Sequence, residues 1–349
     1  MIKKSLSCVG LFLLFLLPPV FSEEIVFSGK TMGTTYHITI AGNLPGNPEY
    51  LKSQIDKKLE MINQSMSPYV KESEISRFNQ LRDIDTPFSI SSGFLKVMSQ
   101  SFFIYNETKG AWDGTVAPLV NLWGFGTGSI KGKVPSEDDI NAIRNDIGFN
   151  LITISEEGYL KKKSPKVTLD LSSIAKGYGV DEIAMLLKQN GIDHFLVEIG
   201  GEIYASGKKE NNEMWKVGIN MPKREATPDM VYKTVLLSDK ALATSGDYRN
   251  FFERDGKIYS HIIDPQTGYP IDNGIVSVSI LSDSCMVADG LATGVMVMGR
   301  KKGLALIKRL KNIECLIVTL DKASDSLLNY YSPGFKRYLF KKSKQQPTK

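Results

Sequence analysis

The chain has 349 residues, enough for one large domain or two small ones, and a formal net charge of +5. Its 42% hydrophobic and 23% charged content is ordinary for a globular protein with a full core. Nothing in the distribution of its basic residues indicates nucleic-acid binding. Its three histidines, His37, His194 and His261, are too few for a histidine-rich metal site.

The amino terminus is predicted to be a cleaved secretory signal peptide. Lys3 and Lys4 precede the apolar run Val9–Leu17, and cleavage between Ser22 and Glu23 is expected. A membrane anchor is the alternative, but the apolar run is too short to span a bilayer comfortably. The mature protein is therefore expected to be exported.

Helices are predicted where apolar residues recur at helical spacing. Leu51, Ile55 and Leu59 repeat in this way after Pro48, a residue that is favoured at the first helical position. The other predicted helices cover residues 91–109 and 115–122, a short segment after Ser136, and residues 173–190 and 286–310.

Strands are predicted where apolar and polar residues alternate. Tyr36–Ile40 shows this pattern within an extended segment that turns near Met32. Strands outnumber helices and often come in adjacent pairs, which predicts an α+β fold with a mainly antiparallel sheet and packed helices. The other predicted strands are 151–155, 166–170, 194–199, 202–206, 215–220, 232–237, 258–263, 275–281, 313–320 and 335–340.

The chain shows no linker that would mark a domain boundary after the signal peptide. We therefore expect a signal peptide over 1–22, a single domain over 23–340 and a basic tail over 341–349. The tail is expected to be a solvated terminus or a weak contact with a membrane or partner. Cys285 and Cys315 both lie in apolar contexts, and their spacing leaves open whether they pair.

The segment Thr168–Asp181 suggests a phosphate site. An apolar strand pattern ends at Asp170, and Ser173 and Lys176 follow three residues apart on one face of the expected helix. Backbone N–H groups at a helix amino terminus and a nearby ammonium both favour an anion. The alternative is a plain serine N-cap followed by a surface lysine.

The segment Ala288–Gly294 suggests a site for a hard cation. Asp289 and Thr293 lie four residues apart, hence on one face if the segment is helical. Oxygen ligands without histidine or thiolate partners suit Mg²⁺ rather than Zn²⁺. The alternative is a capped helix start whose aspartate favours the helix dipole.

The segment Tyr259–Pro270 places one histidine close to the end of a predicted strand. A neutral imidazole at His261 could take a proton from an attacking hydroxyl. The alternative is a hydrogen-bonded structural histidine. Upstream, Ala243–Tyr248 is expected to be a loop of small residues that approaches a ligand or simply turns.

Together with three further segments, these motifs form an ordered set: Thr31–Tyr36, Asn121–Gly126, Asp170–Tyr178, Glu198–Glu202, Ser260–Pro265 and Ala288–Thr293. The set resembles the ApbE family of FAD:protein FMN transferases, also described as flavin-trafficking proteins. Each motif is only moderately specific, but six in order are hard to obtain by chance. The resemblance covers nearly all of residues 25–340.

This resemblance implies a T-fold-like α+β domain that binds FAD and Mg²⁺ outside the cytoplasmic membrane. It implies cleavage of FAD, transfer of FMN through a phosphoester to a threonine or serine of a target flavoprotein, and release of AMP. The expected acceptors are subunits of membrane redox complexes. The expected location is the periplasm, with possible association with the periplasmic face of the inner membrane.

The resemblance also implies site residues. Ser173 replaces what is often Ala or Thr, so its backbone carbonyl is expected to matter at least as much as its hydroxyl. Ala292 stands where some members have a further carboxylate, which puts the metal affinity or the number of metal ions in doubt. The implied FAD contacts are Met32, Tyr69, Ala111, Trp112, Asp113, Asp170, Lys176 and Ile263, and the implied Mg²⁺ ligands are Ser173, Asp289 and Thr293.

Three functions remain open at this point. In the first, His261 is the general base for FMN transfer, and Tyr69 and Trp112 stack on the rings of FAD. In the second, water is the acceptor and the protein is an Mg²⁺-dependent FAD diphosphatase that yields FMN and AMP. In the third, the protein is an exported flavin-binding protein without turnover.

Overall fold

The computed structural model describes residues 24–341, except 85, 127–131, 228, 249 and 322. The predicted signal peptide and nearly all of the basic tail therefore lie outside the described residues. Within the described part of the chain, no helix is both long and apolar enough to cross a membrane.

Eight α-helices are found in the described residues, and five of them begin at a polar side chain that accepts backbone N–H groups. These N-caps are Asn47, Ser73, Ser91, Ser136 and Ser284. The helices are α1 Pro48–Met66, α2 Glu74–Gln80, α3 Ser92–Glu107, α4 Ala117–Leu122, α5 Glu137–Arg144, α6 Ala175–Gln189, α7 Cys285–Met298 and α8 Arg300–Arg309.

The strands of the described residues pair antiparallel throughout. This agrees with the predicted α+β fold. The strands are β1 Ile25–Thr31, β2 Thr34–Ile40, β3 Phe88–Ser89, β4 Ile152–Ser155, β5 Tyr159–Lys162, β6 Phe195–Ile199, β7 Glu202–Ser206, β8 Trp215–Asn220, β9 Val231–Leu237, β10 Lys240–Gly246, β11 Phe251–Arg254, β12 Lys257–Ser260, β13 Ile275–Ser282, β14 Glu314–Asp321 and β15 Ser326–Tyr331.

One large sheet organises the molecule. Its eight strands run in the order β1-β2-β6-β7-β10-β13-β14-β15, and the smaller sheets are β3-β5-β4, β8-β9 and β11-β12. Helices α6 and α7 pack on each other and on this sheet. Their crossing is close, because a Cβ at Gly177 would stand 2.4 Å from the carbonyl oxygen of Cys285. The sequence therefore brings the start of α6 against the start of α7.

Several predicted elements differ from the structure. The predicted strand over 166–170 pairs with no other strand, because Asn79 takes up both backbone groups of Leu169: its Oδ1 accepts the N–H at 2.7 Å and its amide donates to the carbonyl at 2.8 Å. The predicted strand over 335–340 is a 3-10 helix, Phe335–Tyr338, which buries Phe335 fully.

Two further predictions were wrong in detail. The expected loop over 243–248 belongs mostly to strand β10, whose small side chains let α7 pack against the sheet. The single helix predicted over 286–310 is two helices, since Gly299 adopts φ +78° between them, a conformation that ends a helix and favours glycine. Strands β3, β5, β11 and β15 and helix α2 were not predicted.

Candidate active site

A cleft of about 400 Å³ opens where the start of α6, the first turns of α7, strand β10 and the segment after β12 meet. Its walls include eight of the twelve site residues expected from the sequence. They are Asp113, Asp170, Ser173, Lys176, His261, Ile263, Asp289 and Thr293.

A second cleft of about 450 Å³ adjoins the first and shares Ser172 and Lys176 with it. It contains Met32 and Tyr69, two further expected FAD contacts, and its lining is largely apolar. Tyr69 is 72% exposed, so its ring is accessible for stacking rather than part of the core. The structure thus joins two clefts at the Ser172–Lys176 segment.

The start of α6 is built differently from the expected serine cap. The helix begins at Ala175, and no side chain caps it. Ser172 donates instead to the carboxylate of Asp170, from both its backbone N–H and its hydroxyl. Ser173 accepts a hydrogen bond of 2.9 Å from the indole N–H of Trp112. Asp170 in the cleft wall thereby orients Ser172, and the buried Trp112 orients Ser173.

The expected stacking of Trp112 on a ligand ring does not fit this arrangement. The residue is 1% exposed, and its ring packs against Phe149 with centroids 5.9 Å apart. Trp112 therefore positions the Ser173 hydroxyl from the interior. Ala111, also buried, lines a different groove of about 610 Å³ rather than either cleft.

Asp289 and Thr293 lie inside helix α7 rather than at its cap. The helix starts four residues earlier, where Asp181 of α6 accepts the backbone N–H groups of Cys285 at 2.8 Å and Met286 at 3.0 Å. The alternative of a capping aspartate at 289 is therefore excluded. The Thr293 hydroxyl lies 2.9 Å from the hydroxyl of Ser245 on β10, at the wall of the cleft.

Three charged groups meet at the centre of the cleft. Lys176 Nζ lies 3.0 Å from Glu202 Oε2 and 3.9 Å from Asp289 Oδ1. The backbone N–H of Gly177 donates to Asp289 Oδ2 at 3.0 Å. Two carboxyl groups thus face one ammonium.

Burial and pairing shift the pKa values of these groups in opposite senses. Burial raises the pKa of Glu202 and of Asp289, and Lys176 opposes that rise in both. Burial alone would lower the pKa of Lys176, but the charges of Asp289 and Glu202 raise it above its usual value. Lys176 therefore stays charged at neutral pH and can face an anionic ligand.

Glu202 is the site residue that the sequence analysis did not single out. It belongs to the segment Glu198–Glu202, which carried the resemblance without a role for its last carboxylate. The signal in the sequence was a charged residue directly after two glycines at the start of a predicted strand. In the structure, Gly200 and Gly201 both adopt positive φ and form the turn before this strand.

His261 follows the last residue of β12 and lines the cleft. Its Nδ1 lies 3.0 Å from the carbonyl oxygen of Asn250, a contact that fits an imidazole whose Nδ1 carries the proton. In that tautomer Nε2 is the nitrogen that accepts a proton. This geometry is compatible with the expected general base.

Asp113 has a supporting position. Its Oδ1 accepts the backbone N–H and the hydroxyl of Thr115 at 2.8 and 2.6 Å, and its Oδ2 accepts the N–H of Phe149 at 3.2 Å. Burial raises the pKa of this carboxyl. These bonds fix the loop that forms one wall of the cleft.

The donor set fits Mg²⁺. One buried carboxylate at Asp289 and the hydroxyls of Ser173 and Thr293 are hard oxygen ligands, and Mg²⁺ completes such sets with water and substrate oxygens. Among the described residues, no group of three or more His, Cys, Asp or Glu side chains could hold a metal ion. Cys285 and Cys315 are both buried and unpaired as thiols, and neither lines the cleft.

Known proteins match this chain over most of its length. The model of the ApbE family matches residues 32–317. The FAD:protein FMN transferase of Vibrio cholerae serotype O1 is 44% identical over 322 residues, which cover 92% of this chain and 94% of that protein. The FAD:protein FMN transferase of Haemophilus influenzae is 41% identical over 306 residues, which cover 86% of this chain and 88% of that protein.

Solved structures are similar over the same length. The flavin transferase ApbE from Vibrio cholerae superimposes with a TM-score of 0.82 at 42% identity, covering 91% of this chain and 99% of that one. The apo flavinyl transferase ApbE of Pseudomonas stutzeri gives a TM-score of 0.81 at 34% identity, covering 90% and 96%. The fold implied by the sequence resemblance is thereby confirmed. The chain belongs to the ApbE family.

Proposed function

We propose that this protein is an Mg²⁺-dependent FAD:protein FMN transferase that attaches FMN to a threonine or serine of a target flavoprotein and releases AMP. The observation that carries the proposal is the Lys176–Glu202–Asp289 cluster at the junction of two clefts. Family membership and the names of the relatives support the same activity.

The two joined clefts suit a dinucleotide. Their volumes of about 400 and 450 Å³ lie in the range of small-molecule sites. Lys176 belongs to both, so its ammonium is placed to bind the diphosphate that links the two halves of FAD. Tyr69 offers an exposed ring for stacking in the second cleft.

Ser173, Asp289 and Thr293 would hold the metal ion. Bound there, Mg²⁺ supplies Lewis-acid stabilisation of charge on the diphosphate oxygens. The N–H of Gly177 and the indole of Trp112 orient two of these ligands before substrate arrives. Such preorganisation limits the reorganisation needed during reaction.

His261 acts as general base in this proposal. Its Nε2 takes the proton of the acceptor hydroxyl while the hydroxyl oxygen forms a bond to the FMN-side phosphorus. The phosphorus–oxygen bond to AMP breaks, and AMP leaves with its phosphate charge facing Lys176. Positioning and electrostatic stabilisation supply most of the catalysis in phosphoryl transfer.

The test is intact mass spectrometry of acceptor proteins after incubation with the purified protein, FAD and Mg²⁺. We expect a mass gain equal to FMN on one threonine or serine, together with AMP. Candidate acceptors are periplasm-facing subunits of membrane redox complexes. Stoichiometric AMP without any labelled acceptor indicates a diphosphatase, and intact FAD that stays bound for hours indicates a carrier.

We also propose that the protein is exported and acts in the periplasm, at the periplasmic face of the inner membrane. The support is the order of lysines, apolar run and small residue in the first 22 positions. Amino-terminal sequencing of the mature protein is expected to begin at Glu23. A mature protein that retains Met1 and fractionates with the cytoplasm contradicts this proposal.

A further inference from the structure

Glu202 occupies an unusual position beside the proposed metal ligands. Its residue exposure is 4%, and within the described part of the chain its Oε2 has no hydrogen-bond partner of good geometry. Its contact with Lys176 Nζ at 3.0 Å is the interaction that compensates the burial of this charge. A buried carboxylate of this kind needs a cation to remain ionised.

Lys176 lies between two carboxylates and is closer to one of them. Its ammonium lies 3.0 Å from Glu202 Oε2, whereas 3.9 Å separates it from Asp289 Oδ1, which is still an ion-pair distance but too far for a hydrogen bond. The lysine stem passes beside Gly200, where a Cβ would stand 3.3 Å from Cδ of Lys176. The turn that precedes Glu202 therefore bounds the path of the lysine.

An ammonium and a divalent cation compete for the same carboxylate. If Glu202 lost its charge, Asp289 would be the remaining carboxylate near Lys176, and the ammonium would be drawn toward it. A lysine paired with Asp289 would block the ligand that the divalent cation needs. Whether Lys176 pairs mainly with Glu202 or with Asp289 therefore determines whether Asp289 can bind the divalent cation.

We propose that Glu202 is a positioning residue that holds Lys176 away from Asp289 and so keeps this carboxylate available to the divalent cation. This inference rests on the proposed function, because it assumes that Asp289 is a metal ligand. Glu202 contacts neither the metal nor the substrate in this role. It acts through the position of Lys176.

The test is a titration of the full chain with Mn²⁺ in the absence of FAD. The EPR signal of the free ion measures how much Mn²⁺ remains unbound. We expect the wild type to bind Mn²⁺ and Asp289→Asn to lose this binding. Glu202→Gln is expected to raise the Kd by about tenfold or more, the usual effect of losing an outer-shell partner. In a Lys176→Gln background the same Glu202 change should alter the Kd by less than about threefold.

The outcomes separate the two proposals. If wild type and Asp289→Asn bind Mn²⁺ equally, the metal site itself is wrong and this inference falls with it. If Asp289→Asn loses binding but Glu202→Gln does not, the metal site stands and the inference is overturned. An equal loss in both Lys176 backgrounds also overturns it, because Glu202 would then act through its charge alone.

Glu202→Asp provides a second variant in case the amide variant does not fold. The shorter side chain keeps the charge but cannot hold the ammonium at the native 3.0 Å distance from the same backbone. We expect its Kd for Mn²⁺ to lie between those of wild type and Glu202→Gln. A Kd equal to that of wild type counts against a positioning role.

Discussion

Two lysines withdrawn from solvent show how differently this fold uses the same residue type. Lys162 on β5 is 2% exposed; its Nζ donates to the carbonyl of Leu81 at 2.9 Å and lies 4.9 Å from the ring centre of Phe78. Lys176 keeps 27% of its side chain exposed and faces two carboxylates. Burial and the nearby Arg82 lower the pKa of Lys162 to about 8, whereas the pKa of Lys176 is raised.

Burial acts to lower the pKa of both lysines, so the opposite outcomes follow from their partners. Lys162 supplies donors to carbonyls at the carboxyl end of α2, where a helix leaves such groups unpaired. Lys176 has charged partners that keep it protonated, as binding an anionic diphosphate requires. The first lysine completes a structure, and the second is available for chemistry.

The largest expected effect is the loss of FMN transfer in Asp289→Ala. Removing the carboxylate deprives the proposed metal of its charged ligand, and we expect transfer to fall by more than about a thousandfold. The measurement is the rate of acceptor labelling by mass spectrometry. Glu182→Gln is the matched control, since Glu182 is also buried and paired with lysines but lies outside the clefts. Normal labelling by Asp289→Ala removes the metal proposal.

Substitutions of the two lysines are expected to affect catalysis very differently. Lys176→Gln is expected to lower kcat/KM for FAD by about a hundredfold, because the diphosphate loses its ammonium partner. Lys162→Met is expected to leave kcat/KM unchanged. Steady-state AMP release with an acceptor present measures both. Equal losses of kcat/KM in the two variants would contradict the proposal that Lys176 has a specific role in binding the diphosphate.

A smaller effect, on stability, is expected at Gly177, where α6 crosses close to α7. In Gly177→Ala the new methyl would meet the backbone carbonyl of Cys285 at 2.4 Å, and we expect a loss of about 2 to 3 kcal/mol in the free energy of unfolding. Urea denaturation measures it. Gly290→Ala is the control, since its methyl meets the movable Ile104 Cδ1 at 2.5 Å. Similar losses in both variants would contradict a special constraint at Gly177.

The smallest effect concerns the pH dependence of stability at Lys162. Its pKa in the folded state is about 8, below the ordinary 10.5, so the unfolded chain binds more protons between these values. Stability from this residue therefore rises with pH across that window and is constant below it. Between pH 8 and 10, the free energy of unfolding of the wild type should rise by about 1 to 2 kcal/mol relative to that of Lys162→Met. Urea denaturation of both proteins at each pH measures it. A constant difference would disprove the lowered pKa.

Much of the fold followed from local pattern. The repeat of Leu51, Ile55 and Leu59 predicted α1, and these residues are buried in it. Strand β10 was missed because its small residues give no alternation, although they lie at the centre of the large sheet. The segment before α6 was wrongly predicted as a strand because Asn79, distant in sequence, takes up its backbone groups.

The candidate site was also predicted only in part from the sequence. Motifs in the sequence named Ser173, Asp289 and Thr293, and the family resemblance they carried is confirmed. That these residues share one cleft, that Trp112 donates to Ser173, and that Glu202 pairs with Lys176 were visible only in the fold. Their assignment as metal ligands and FAD contacts stays a prediction.

Sequence by itself determined the serine caps of α3 and α5, the periodic core faces and the ordered motifs, because each depends on neighbours within a few residues. Tertiary structure decided which charges meet, since Lys176, Glu202 and Asp289 come from three separate elements. Their pKa values and partners depend on distances that no local pattern specifies. The chemistry of this protein therefore rests on contacts that only the packing of α6, α7 and the large sheet creates.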